Sequence, residues 1–92
     1  MEVSSITPQL QRRYNLSDAQ GVVVTNIEMD SKAYRMGVRE GDIIQEINRG
    51  KVQSLADFTQ ITRKIKKDAR VMLLVKRKGY TMYLSLYEKG FP

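Results

Sequence analysis

The stretch Ala33-Tyr34-Arg35-Met36-Gly37-Val38-Arg39-Glu40-Gly41-Asp42-Ile43-Ile44-Gln45-Glu46-Ile47-Asn48 decides the fold. It reads as a short helix, a glycine stop, a second glycine turn and then a strand. Gly37 suits a helix end in the left-handed conformation, which a β-carbon disfavours. Val38 can then fold back onto the last helical turn. Gly41-Asp42 is a turn signal just ahead of the apolar residues Ile43, Ile44 and Ile47.

Working outward, Glu2-Val3-Ser4-Ser5-Ile6 reads as a short strand. Thr7 is placed as an N-cap and Pro8 as the first helical residue, giving a helix over Pro8–Tyr14 with Leu10 and Tyr14 on one face. Gly21–Ile27 is the strongest strand. Its β-branched run Val22-Val23-Val24-Thr25 implies burial on both faces. Asp30-Ser31 can cap the helix Lys32–Met36. Beyond the strand Ile43–Asn48, Asn48-Arg49-Gly50 reads as a tight turn and Lys51-Val52 as a brief return.

Ser54 caps the longest expected helix, with Asp57 in the capping-box position. Phe58, Ile61 and Ile65 form its core stripe. Arg63, Lys64, Lys66 and Lys67 complement the dipole at its last turns, and the helix is expected to end near Asp68. Val71–Lys76 and Tyr80–Tyr87 form a hairpin around the turn Arg77-Lys78-Gly79, with Met82, Leu84 and Leu86 on one face. The core candidates are Val22, Val23, Val24, Ile43, Ile44, Ile47, Leu73, Val75, Leu84 and Leu86. The five methionines are scattered and read as gap-fillers.

The 92 residues make one domain, expected over 1–87, with 88–92 as a loose tail. There is no cysteine, hence neither a disulfide framework nor a thiolate metal site. There is no histidine either, which excludes a Ser-His-Asp triad, a histidine base and a histidine metal site within this chain. No cofactor and no metal are expected, and the domain is not expected to be an enzyme. No apolar run of about eighteen residues suggests a transmembrane segment, and no signal peptide is visible. Sixteen Lys and Arg against ten Asp and Glu give a net charge of +6, which favours anionic partners in general.

The pattern A-x-x-x-G-Φ followed by x-x-G-D-x-I-x-x-I-N, over 33–48, resembles the central signature of PDZ domains, where Φ is apolar. A strand at the start and a hairpin arm at the end resemble the permuted order of PDZ domains in bacterial Deg/HtrA serine proteases. Val3-Ser4-Ser5-Ile6-Thr7-Pro8-Gln9-Leu10, Gly21-Val22-Val23-Val24, Asn48 to Phe58 and Arg77 to Leu86 extend the likeness to residues 2–87. It is most similar to the second, C-terminal PDZ of a Do-type periplasmic protease.

The resemblance implies an α+β fold: a small, mostly antiparallel β-sandwich or partly open barrel capped by two helices. It implies a groove between strand 2–6 and helix 55–62, where a peptide adds as a further antiparallel strand. The peptide-binding residues it implies are Met1, Glu2, Val3, Ser4, Ser5 and Ile6 on the strand side, and Leu55, Thr59 and Thr62 on the helix. The carboxylate loop would run into Met1, Glu2 and Val3. The glycine that the family carries just ahead of that loop has no counterpart here, so a shortened nest of backbone amides is expected. With Met1 and Val3 facing Leu55 and Thr59, the terminal pocket is expected to favour Val, Leu, Ile or Phe.

The expected partners are C-terminal or extended peptides of unfolded proteins, and the protease domain or neighbouring subunits of a parent oligomer in the periplasm. The Phe91-Pro92 tail is a further candidate occupant of a neighbour's groove. Nucleic acid is not expected. The alternative is a basic anion-binding domain, for nucleic acid or anionic lipid, built on Arg63, Lys64, Lys66, Lys67, Lys76, Arg77 and Lys78. A PDZ domain of another membrane-associated protease is a second alternative.

Overall fold

Val22, Val23 and Val24 are fully buried, and the computed structural model is built around them. It describes residues 1–66 and 69–86. Nine elements run in the order β1 (Glu2–Ser5), α1 (Pro8–Tyr14), β2 (Val22–Asn26), α2 (Lys32–Met36), β3 (Ile43–Ile47), β4 (Gly50–Lys51), α3 (Leu55–Arg63), β5 (Val71–Arg77) and β6 (Tyr80–Leu86). The strands form one antiparallel sheet in the order β1-β2-β3-β5-β6, with β4 pairing on β3. The sheet does not close into a barrel, so β1 and β6 are its two edges.

The expected core is largely the observed one. Val22, Val24, Ile44, Ile47, Leu73 and Val75 join Met36, Val38 and Val52, and Ile43 and Val23 are buried as well. Phe58, Ile61, Ile65, Met82 and Leu84 pack against this cluster. The side chain of Leu86 lies outside the described residues. Met36 belongs to the core and Met82 packs against it, whereas Met1 and Met29 are exposed. Of the three helices, α2 packs on β6, and α3 on β1 and β3.

Each helix starts on the cap read from the sequence. Leu10 N donates to Thr7 Oγ1 at 3.2 Å, Tyr34 N to Ser31 Oγ at 3.2 Å and Asp57 N to Ser54 Oγ at 3.2 Å. Asp57 reaches back one residue further than a capping box, accepting from Gln53 N at 3.0 Å. At the other end of α2, Gly37 N donates to Tyr34 O at 2.9 Å and Val38 N to Ala33 O at 3.1 Å, the two bonds of a Schellman stop. Gly37 has φ +107°, and a β-carbon there would sit 3.3 Å from Leu84 Cδ2.

Two expectations need correction. Helix α3 ends at Arg63, well short of Asp68. Lys64 N donates to Ile61 O at 3.1 Å and Ile65 N to Thr62 O at 3.2 Å, so the last turn tightens to i→i−3 bonds and the helix stops. Ile65 thus reaches the core from beyond the helix end. Lys67, Asp68, Tyr87 and the expected tail 88–92, including Phe91-Pro92, lie outside the described residues. The second correction concerns Arg77, which is the last residue of β5 and not part of the turn. Arg77 pairs with Tyr80, leaving a two-residue loop with φ +50° at Lys78 and +83° at Gly79. Those are the signs of a type I′ turn, whose twist matches its strands.

A candidate peptide groove and a closed polar block

The predicted strand-side residues lie on and beside β1, which among the described residues pairs with β2 on one side only: Val3 faces Val24, Ser4 faces Val23 and Ser5 faces Val22. The register shifts between Glu2 and Val3, where Glu2 O instead accepts from Thr25 Oγ1 at 3.3 Å. Val3 packs on the core. Ser4 Oγ turns to Ser5 O at 2.9 Å. Ile6 is half-buried at the strand's end, while Glu2 is exposed. The unpaired side of β1 is where a further strand can add.

Helix α3 lies against this strand and carries Leu55, Thr59 and Thr62 at i, i+4 and i+7. Thr59 and Thr62 are half-buried, and Leu55 is 38 % exposed. Thr62 Oγ1 donates back to the helix, to Phe58 O at 2.8 Å and Thr59 O at 3.1 Å. Its hydroxyl proton is thereby used within the helix, leaving the oxygen only as an acceptor. Met1, 39 % exposed, and Leu55 are two of the few large apolar side chains left open to water, and both belong to the predicted set. The nine predicted residues therefore fall on, or directly beside, two neighbouring elements, one at the edge of the sheet and one packed against it.

The signature 33–48 does something else. Asp42, 1 % exposed, accepts from Arg77 Nε at Oδ1 and Arg77 Nη2 at Oδ2, both at 2.7 Å, and from Arg39 N at 2.9 Å. Arg77 Nη2 also donates to Gly37 O at 2.7 Å. This bidentate pair ties the helix stop, the Gly41 turn and the end of β5 together. The hydrogen bond to Asp42 pushes the Arg77 guanidinium further up, against the opposing effect of burial. Sequence reading missed this pair, placing Asp42 and Arg77 in two unrelated turns.

Beside it lies a concavity of about 890 Å³, away from the groove, whose lining includes Tyr14, Asp18, Glu40, Lys76 and Arg77. Its walls are bridged by Tyr14 Oη donating to Glu40 Oε2 at 2.6 Å and by Lys76 Nζ at 2.9 Å from Asp18 Oδ2. Size alone does not make this the better site, because Tyr14, Glu40, Asp18, Lys76, Asp42 and Arg77 already satisfy one another. Asp18 and Asp42 neutralise two cations, Lys76 and Arg77, of the basic surface on which the anion-binding alternative rests. Among the described residues, no group of His, Asp or Glu could hold a metal ion.

The family model for the PDZ domain matches residues 3–86. The chain belongs to the PDZ domain family. The PDZ is of the Deg/HtrA protease type. It is 31 % identical over 78 residues to a probable periplasmic serine endoprotease, DegP-like, of Chlamydia muridarum, covering 84 % of this chain and 16 % of that protein. It is 25 % identical over 83 residues to the serine endoprotease DegS of Haemophilus influenzae, covering 90 % of this chain and 24 % of that one.

Among solved structures, the HtrA-type protease AlgW with a decapeptide superposes with a TM-score of 0.84 at 25 % identity, over 91 % of this chain and 26 % of AlgW. The HtrA3 PDZ domain bound to a phage-derived ligand shares the fold, with a TM-score of 0.76 at 21 % identity over 95 % of this PDZ and 79 % of that chain. This PDZ thus spans a quarter or less of the length of these curated relatives. No helix among its described residues is long and apolar enough to cross a membrane.

Proposed function

We propose that this PDZ is a non-catalytic module that binds peptides with apolar C-termini by strand addition between residues 2–6 and 55–62. The parent protein would be a periplasmic serine endopeptidase, in which the module recruits substrates, regulates the protease or contacts neighbouring subunits. The observation that carries this reading is the free edge of β1 with α3 beside it. Main-chain hydrogen bonds along that edge would supply affinity for any extended segment. Leu55, Thr59 and Thr62, with Met1 and Val3, would select alternate side chains. Relatives named as periplasmic endoproteases and the peptide-bound AlgW structure support it.

The test is an amide-shift titration of the isotope-labelled chain with short peptides ending in a free Val, Leu, Ile or Phe. Shifts are expected along residues 2–6 and 55–62, with weaker binding once the terminal carboxylate is amidated. A preference for charged terminal side chains, or shifts confined to other surfaces, would overturn the reading.

A further inference from the structure

A second hollow, of about 410 Å³, opens on the other flank of α3, past the helix end. Its floor and walls are Ile47, Ile61, Ile65 and Ala69, and its rim carries Lys64 and Lys66. The volume lies within the range of about 300–1,000 Å³ that ligand sites occupy.

The walls are fixed in place by hydrogen bonds. Asn48 N donates to Met72 O at 2.7 Å, and Met72 N donates to Asn48 Oδ1 at 2.8 Å. Ala69 N donates to Lys66 O at 3.0 Å. Gly50 keeps the wall thin, since a β-carbon there would lie 3.2 Å from both Ile61 Cδ1 and Ile47 O.

Among the described residues the rim is electrostatically one-sided. Arg63, Lys64 and Lys66 are exposed, and none has an acidic partner among the described residues. This contrasts with Lys76 and Arg77, which are paired. The basic run noted in the sequence is thus split: on the hairpin Lys76 and Arg77 are paired with carboxylates, and past the helix end Lys64 and Lys66 border an apolar hollow.

We infer that this hollow is a second docking site, which takes one apolar side chain of a partner protein flanked by acidic residues. The recessed apolar floor accepts the anchor, and the lysines face the flanking carboxylates. Nucleic acid fits less well, because none of the lining residues is an aromatic on which a base could stack. A lipid surface fits less well because the apolar groups are recessed and do not project. The inference is independent of the β1–α3 groove, which uses the opposite flank of the helix.

The test uses an acetylated and amidated pentapeptide, Asp-Glu-Phe-Glu-Asp, which has no free terminal carboxylate to engage the groove. Titration into the labelled chain is expected to shift the amides of Asn48, Gly50, Ile61, Lys64, Lys66 and Ala69. The double variant K64E/K66E should bind at least tenfold more weakly with an otherwise unchanged spectrum. K64Q/K66Q serves as a milder check should charge reversal disturb folding. Replacing the peptide's Phe by Ala should also cost about tenfold, and a groove peptide ending in Val should not compete.

The inference is overturned by absence of shifts at millimolar peptide, or by equal binding of the Ala peptide, which would indicate only a charged surface. Equal binding by both double variants, or competition by the groove peptide, overturns it too. So does binding of duplex DNA or anionic vesicles at these residues when the peptide does not bind.

Discussion

Within the block 33–48 the buried carboxylate of Asp42 accepts three hydrogen bonds, whereas β1, among the described residues, is hydrogen-bonded along one side only. In the block, each turn is closed by bonds to another element: Gly41 N to Val24 O at 2.8 Å, Val24 N to Asp42 O at 2.9 Å, Arg77 to Gly37 O. Along β1 and α3, backbone groups and apolar side chains remain open to water. A region whose buried polar groups are matched to one another can hold a shape, but it has little left with which to bind. Recognition requires unmet hydrogen-bonding capacity beside exposed apolar area, on a frame that does not move. The two regions divide these tasks.

The largest effect should come from opening the closed region. Asp42→Ala strands the Arg77 guanidinium and the Arg39 amide, and breaking a buried pair costs about 3 kcal/mol, the lower end of the usual range because Arg77 is a third exposed. Urea unfolding should show a matching fall in midpoint, and an unchanged midpoint would mean that the pair does not tie the block together. Gly37→Ala comes next, at about 1–2 kcal/mol, from the left-handed backbone and the close Leu84 contact. Neither change touches the groove, so the folded fraction should bind peptide with unaltered affinity.

Leu55→Ala should do the reverse. Peptide affinity should fall about fivefold to tenfold, equivalent to about 1–1.4 kcal/mol, while thermal stability stays constant, measured by titration calorimetry beside a melting curve. Loss of stability without loss of affinity would place Leu55 on the wrong side of the division.

The smallest effect concerns Tyr14. Burial and then the hydrogen bond to Glu40 raise its pKa above the ordinary tyrosine value, outweighing nearby Arg13. A raised folded-state value means that the folded chain keeps this proton longer than the unfolded chain. The stabilisation is therefore present below the ordinary tyrosine value of about 10 and is lost as pH rises through the higher folded value. Ultraviolet titration should show one tyrosine ionising late, and Tyr14→Phe should remove that step.

How much of this was legible in the sequence depends on how local the determining physics is. The caps Thr7, Ser31 and Ser54, the stop at Gly37 and the buried run Val22–Val24 act within a few residues, and each stands where its pattern placed it. Helix α3 was over-extended because 64–67 is as rich in helix formers as the residues before it. What ends the helix is the set of i→i−3 bonds at its last turn. The candidate groove residues were legible only through family likeness, since Leu55, Thr59 and Thr62 by themselves describe ordinary helix surface.

The sequence by itself determined the element order, the three caps, the core stripe and, through the 33–48 signature, the PDZ family. Local turn chemistry and side-chain periodicity carry that information in short windows. The tertiary structure alone decided that Asp42 meets Arg77 across 35 positions, that β1 ends as a sheet edge beside α3, and which cations are paired. Those outcomes depend on through-space distance between residues far apart in the chain. The signature that reveals the family therefore closes on itself around Asp42, and what remains open for binding is set by where the sheet stops.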